Sequence, residues 1–403
     1  MWKLYGKTYD LTNFAQRHPG GAEIIEKTKG LEDCTALFES YHAFSDLSGI
    51  KQSLDKYEKP MVPDDDTVIV NHYNTDFTTY YRLIEKIKEV FPDREAIKAP
   101  PSWYLFVSVL GCAYMYLLYH MLFGGHNMVL RTLIASMISF CEFSILFNTL
   151  HDSSHYAIHT DANVNTQIST ITNAWHLWNH NMWFMHHVYY HHSFTGSDTD
   201  PDKNLYNNLQ NVSSIVINAL YAIFPGQYVG QIIWYIITAN TYNLYTVYGN
   251  ALTIPIPNKV TYYDNISISI MLFKLFVIYH YGIIPLLAYY VCHNTFYFMN
   301  IAGDHDLFQT YSNHYDGPDW AKRQICNSGN FVNDYRWWSM IFGGINHQIE
   351  HHLFPNMSNH HYPTIAPIVK KFCKDNDLPY VHEPTLESAY TSFMKRIVAK
   401  KEE

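Results

Sequence analysis

Charge is scarce in this chain. Asp, Glu, Lys and Arg make up 16% of its 403 residues, against about 25% in ordinary soluble proteins. Basic stretches are missing too. The formal net charge is -9 with only 27 Lys plus Arg, so nothing would neutralise the phosphates of a nucleic acid and that class of partner is excluded. Cysteine is sparse: Cys34, Cys112, Cys141, Cys292, Cys326 and Cys373 form no CxxC pair and several lie in apolar runs. Reduced thiols are expected rather than a disulfide framework. No cleavable signal peptide opens the chain, since Met1-Trp2-Lys3-Leu4-Tyr5 runs at once into turn and charge chemistry. A cytosolic N-terminus is the expectation.

Apolar residues and imidazoles take the place of charge. Hydrophobic residues reach 48%, with 34 Tyr and 23 Phe, and 24 His nearly equal the Lys plus Arg total. Histidine is the commonest protein ligand for transition metals, but only spacing separates a metal site from compositional bias.

The pattern along the chain predicts several parts. Residues 1–60 read as a soluble module, and 61–100 as a linker and amphipathic helix, the helix near 77–90 and ended by Pro92. After Pro100-Pro101 the text turns apolar. The segments 103–123 and 128–150 are long enough to span the roughly 30 Å hydrocarbon layer as helices. Further spans are expected near 228–249 and 267–291, about four in all, with 212–224 interfacial or re-entrant. Glu142, inside the second span, is costly in lipid and must face the bundle or a polar cavity. Two hairpins of spans would return 151–210 and 292–403 to the side of the N-terminal module. The membrane domain is set at 101–375 and a cytosolic tail at 376–403. The fold class expected is mainly α, with a small α+β module in front of a helical membrane domain.

Three histidine clusters fall in those returning segments: His151-Asp152-Ser153-Ser154-His155, His187-Val188-Tyr189-Tyr190-His191-His192 and Gln348-Ile349-Glu350-His351-His352. Residues four apart share a helix face, so His151/His155 and His187/His191 can each grip one ion. Gln348, His351 and His352 share a face by the same rule. Seven imidazoles exceed what one tetrahedral zinc uses, which favours two redox-capable ions. Asp152 and Glu350 are placed to hydrogen-bond ligating rings. His186, with His176 and His180, reads as an outer or interfacial histidine. In the N-terminal module, His18-Pro19-Gly20-Gly21 and His42 are framed by Phe14, Ile24, Ile25, Leu37 and Phe38. Two imidazoles clamping a haem iron fill both axial positions and leave electron transfer as its chemistry.

The boxes HDSSH, HVYYHH and QIEHH resemble those of membrane fatty acid desaturases. Gln348, with the flanking Asn346-His347 and Leu353-Phe354-Pro355, resembles the front-end branch fused to cytochrome b5, and Asp200-Pro201-Asp202 resembles its second-box context. His18-Pro19-Gly20-Gly21 with His42, after Tyr9-Asp10-Leu11-Thr12, resembles the cytochrome b5 haem domain. The resemblance implies O2-dependent desaturation of a fatty acyl lipid or acyl-CoA at two iron ions. It also implies haem b as the relay and cytochrome b5 reductase with NADH as the electron source. His305 is implied as a further ligand, with Asn300 as a water-mediated contact. Three departures stand out. His347 sits where an aromatic is usual, as bystander or extra ligand; Tyr41 precedes His42 where glycine is usual; and the haem domain's first strand or helix is expected to be missing. The same scaffold would serve a sphingoid-base desaturase or an acyl hydroxylase. A haem electron carrier or a metal-binding membrane protein are the readings from another class. Lys400-Lys401 resembles an endoplasmic-reticulum retrieval signal, which implies a multi-pass protein of that membrane with both termini and the active site cytosolic.

Overall fold

The computed structural model describes residues 1–60, 75–178, 180–203 and 265–399, with the strand residues 244–245 and 251–252. It is mainly helical, with a small antiparallel sheet at the N-terminus. Strands β1 (Trp2–Leu4) and β2 (Lys7–Tyr9) form a hairpin. Its turn residues Tyr5 and Gly6 both have positive φ, 53° and 70°, the geometry that matches strand twist in a tight hairpin. Helices α1 (Ala22–Lys27), α2 (Thr35–Tyr41) and α3 (Leu47–Leu54) follow, and β3 (Glu58–Lys59) returns to pair with β2. Helix α4 (Thr78–Lys88) lies where its periodicity predicts and buries Tyr80, Leu83, Ile84 and Ile87, one stripe at helical spacing. Each such aliphatic contributes about 1.5–3 kcal/mol by leaving water.

Helix α5 (Pro101–Phe123) starts on a proline at its first turn, where the missing N–H costs nothing. The side chain of Asn127 caps α6 (Met128–Ile145) by accepting from the Leu130 N–H at 3.0 Å. These two helices are long and apolar enough to cross a membrane. Leu105, Val109, Met115, Tyr116, Tyr119 and Phe123 of α5 are exposed, an outward apolar face that a core helix would not present. Without a break α6 runs into a π-helical segment, Leu146–His151. Helix α7 (Ala162–Trp175) comes next, and a second π-helical segment covers Phe184–His191.

One expected span lies almost wholly outside the described residues, and another is altered. The segments 204–243 and 246–250 are not among the described residues, and with them lie 212–224 and most of 228–249. Leu244–Tyr245 is strand β4, antiparallel to β5 (Ala251–Leu252). The span at 267–291 is not one helix. It is α8 (Asn265–Tyr279) and α9 (Ile283–Asp304), separated by a turn at Gly282 with φ 80°. Arg131 shows which way the pair runs. Its guanidinium donates to the carbonyls of Met121 (2.9 Å), His280 (2.7 Å) and Tyr281 (3.1 Å), so the α5–α6 and α8–α9 turns lie at one end of the bundle. The α8–α9 turn is hard to read from the sequence because His280-Tyr281-Gly282 carries no formal charge and Ile283-Ile284 resumes the apolar text at once. Glu142 does face the bundle: Lys274 of α8 donates to it at 2.5 Å and the Tyr114 hydroxyl at 3.3 Å.

Beyond α9, helix α10 (Trp320–Cys326) leads to β6 (Asn330–Phe331), α11 (Arg336–Phe342), α12 (Gln348–Leu353) and α13 (Tyr362–Asp375). The segment after 375 was expected to be a tail, and through residue 399 it is folded. Strand β7 (His382–Glu383) pairs in parallel with β6, and α14 (Leu386–Ala399) buries Phe393 and pairs Arg396 with Asp306 at 2.7 Å. All six cysteines are free, with Cys34, Cys141, Cys326 and Cys373 buried.

Candidate metal centres

Both of the first two boxes sit on π-helical turns. His151 closes the segment at the end of α6, and His187 and His191 lie within Phe184–His191. Such wide turns cluster at functional sites because they re-aim side chains that a regular helix would fan apart. Here the widening also brings His192, five residues on, against His187. His187 Nε2 lies 3.3 Å from His192 Nε2, while the His187 and His191 rings stack with centroids 5.3 Å apart. His187, His191 and His192 still keep their ligand-type atoms within 4.8 Å of one another. The third box keeps α-helical spacing: on α12 the Gln348 side chain donates to His352 Nε2 at 3.2 Å.

The imidazoles gather into two adjoining groups, bridged by a third made of His187, His191 and His192. One holds His151, His155, His187 and His351, and the other His191, His305 and His352, each group with its ligand-type atoms within 4.8 Å of one another. His192 packs between them, its ring centroid 4.5 Å from those of His155 and His351 and 4.3 Å from that of His352. Neighbours in the third box are therefore divided, His351 to one group and His352 to the other.

Outer partners decide which nitrogen of each ring faces inward. His191 Nδ1 donates to Asp200 Oδ1 at 2.9 Å, His305 Nδ1 to the Asn327 carbonyl at 2.7 Å, and His352 Nδ1 to Gln324 Oε1 at 2.8 Å. A neutral imidazole that donates through Nδ1 carries a lone pair on Nε2. The three Nε2 atoms converge, with His352 Nε2 3.1 Å from His191 Nε2 and 3.0 Å from His305 Nε2. Facing lone pairs repel, and a cation between them removes the conflict. In the other group His155 Nε2 and His351 Nε2 are buried with no partner. This donor set fits a nitrogen-ligated transition metal such as iron.

Charge follows the same logic. Burial, reinforced by the neighbouring imidazoles, holds His187, His192, His351 and His352 well below the ordinary histidine range. Burial takes His305 down to about 4. Neutral rings are the form that binds metal. His191 is the exception, since burial opposes its charge but the Asp200 and Asp202 carboxylates raise it overall.

Other sequence candidates scatter. Gln348 belongs inside, its amide nitrogen donating to His305 Nε2 at 2.9 Å while its Oε1 is buried and unpartnered. A half-turn of that amide would present the oxygen instead. Asn300 on α9 is fully buried with both side-chain polar atoms unpartnered. His347 turns to Ser339 Oγ at 2.8 Å and is in none of the clustered groups. Glu350 does not orient a ring of either group, because Asn330 and Tyr380 take its oxygens at 2.9 Å each. Asp152 accepts from the Asn359 N–H at 2.9 Å and stays 3.7 Å from His151 Nδ1, too far for a hydrogen bond. His186 donates to Asp202 at 2.8 Å, outside the groups as expected. His176 faces Glu142 at 3.8 Å, and His180 faces Glu23 at 3.0 Å. Sequence reasoning missed Gln324, Asn327, Tyr362 and the carboxylate of Asp200 as ring partners. Asp200 alone had a local signal, nine residues after His191.

In the N-terminal module, His18 and His42 face each other with ring centroids 6.1 Å apart. His18 Nδ1 donates to the Gly21 carbonyl at 3.0 Å and His42 Nδ1 to the Phe38 carbonyl at 2.7 Å, leaving both Nε2 lone pairs free. Gly20 is required, since a Cβ there would sit 2.7 Å from His18 Cε1. Both rings line a cavity of about 600 Å³ walled by Leu11, Phe14, Ile24 and Leu37, within the size range of cofactor sites. Burial lowers His42 to about 4. The pocket suits a bis-imidazole haem.

Residues 127–384 match the family described as "Fatty acid desaturase", and residues 2–85 match "Cytochrome b5-like Heme/Steroid binding domain". The acyl-lipid (8-3)-desaturase of Mortierella alpina is 25% identical over 98% of this chain and 92% of its own length. The probable Delta(5) fatty acid desaturase C of Dictyostelium discoideum is 26% identical, covering 97% and 90%. The chloroplastic acyl-lipid (7-3)-desaturase of Chlamydomonas reinhardtii is 29% identical, covering 97% and 78%.

Proposed function

Because the chain belongs to the fatty acid desaturase family, with a cytochrome b5-like domain fused ahead of it, we propose that the imidazole cage is its di-iron centre. The enzyme is a front-end type acyl-lipid desaturase. His151, His155, His187 and His351 would hold one ion, and His191, His305 and His352 the other, with His192 between them. Gln348 and Asn300 complete the second position, directly or through water. Iron held there would supply the O2-dependent oxidant that removes two hydrogens from adjacent methylenes, and haem b held by His18 and His42 would relay the electrons.

The chain's own residues do the positioning. Asp200, Gln324 and Asn327 accept the Nδ1–H of three imidazoles and so turn their Nε2 atoms inward, and two π-helical turns bring the first two boxes to the same point. Because α6 runs straight into His151, the cage sits at the end of a membrane helix, where an acyl chain rising from the lipid can reach it. The domains proposed are a haem module at 1–60, a linker and helix to 100, and the membrane domain beyond. The membrane is that of the endoplasmic reticulum, with haem and cage on the cytosolic face, where cytochrome b5 reductase and NADH supply electrons.

The single observation that carries this reading is the convergence of three Nε2 lone pairs, each fixed by an outer acceptor. The test is expression in yeast fed a panel of defined fatty acids, with double-bond positions mapped by mass spectrometry. One added double bond in a fed substrate is expected. Hydroxylated product alone would overturn the assignment.

A further inference from the structure

One hydrogen bond joins the haem module to the metal cage. Tyr41 Oη lies 2.9 Å from His155 Nδ1, across 114 residues of sequence. Tyr41 ends α2 and directly precedes His42, and its side chain lines the cavity that His18 and His42 face. Its own carbonyl accepts from Asn356 Nδ2 at 3.0 Å, so the membrane domain grips this residue at both backbone and phenol. On the other side, His155 is fully buried, and its Nε2 has no partner and points among His151, His187 and His351.

Every other ring of the cage with an Nδ1 partner finds it within the desaturase part: Asp200, Gln324, Asn327 and Tyr362. His155 alone takes its partner from the haem module. We propose that Tyr41 is a positioning residue that completes the cage from outside. Its phenol oxygen accepts the Nδ1–H of His155, fixes that tautomer, and turns the Nε2 lone pair inward. The hold on metal then depends on the haem module being docked. A glycine before the haem histidine, usual in the resembling haem domains, offers no such oxygen. The inference rests on reading the cage as the metal centre.

Removing a partner of this kind costs about 10–100-fold in metal affinity. The experiment uses the full-length, haem- and iron-loaded protein and measures iron per chain during a timed chelator challenge, with the haem absorbance spectrum recorded in parallel. Tyr41→Phe keeps the ring and its packing and loses only the hydroxyl. Expected are iron retention weaker by about tenfold or more and an unchanged haem spectrum. Thr166→Val is the control, because Thr166 Oγ1 donates to Glu23 Oε2 at 2.5 Å across the same module boundary without touching a cage ring. It should retain iron as the parent does. Parental retention in Tyr41→Phe, or equal loss in both variants, would overturn the proposal. His351→Ala separates the two readings: if it too retained iron, the cage assignment itself would fail, whereas failure of Tyr41→Phe alone leaves that assignment standing.

Discussion

The haem pocket and the imidazole cage solve one problem, aiming lone pairs at a metal, by opposite means. His18 and His42 are oriented by backbone carbonyls three and four residues away. The cage rings are oriented by groups 9, 11, 22, 28 and 114 residues away. A site held by its own turns can form as soon as the local helix does. A site held by remote partners forms only when the whole domain has packed, so its geometry carries the fold's precision. The haem pocket is local in its ligands but not in its walls, since Arg94, Lys98, Tyr156 and Asn356 also line it.

That contrast can be broken at either end. The largest effect is expected from His351→Ala, which should abolish desaturation in the yeast product assay, a loss of at least about 100-fold, while the haem spectrum stays intact. His42→Ala should do the reverse to the spectra, removing the haem band and leaving bound iron in place. If either change erased both centres, the two sites would not be separate units. Next in size is Asp200→Asn, expected to weaken iron retention about 10–100-fold through the tautomer of His191. A fall no larger than twofold, ~0.4 kcal/mol, would make the carboxylate dispensable.

Acid sharpens the comparison further. His42 and His305 are both lowered to about 4 by burial, below the ordinary value of about 6.5. A depressed folded value means the folded site binds fewer protons than the unfolded chain, so stability is present above about 6.5 and lost as pH falls toward 4. Because each ligand must be neutral, release should be steeper for the many-histidine cage than for the two-histidine pocket. Parallel titrations of iron content and haem absorbance between pH 7 and 4, where equal slopes would contradict this, are the check. The smallest effect is expected at His347, which bonds Ser339 and faces neither group. His347→Gln should leave iron per chain within about twofold of the parent, and a larger loss would return it to the ligand set.

Much of the site was legible because local hydrogen bonding sets helical spacing. His18 and His42 face each other, the rings of the three boxes gather with His305, and α4, α5 and α6 follow their periodicity. The misses share a cause. The turn at Gly282 hides in apolar text, the fold of residues 382–399 depends on β6 and on Asp306, and the roles of Glu350 and His347 depend on what lies across from them.

The sequence by itself determined the class of chemistry: a two-imidazole haem clamp ahead of apolar helices that end in clustered histidines. Composition and spacing are properties of the chain and survive any packing. The tertiary structure alone decided that His192 also comes against His187, that His351 and His352 part company, and that His155 looks to Tyr41 for its partner. An imidazole has two nitrogens and a rotatable bond. Which nitrogen points inward is chosen by whatever acceptor the fold brings to the other.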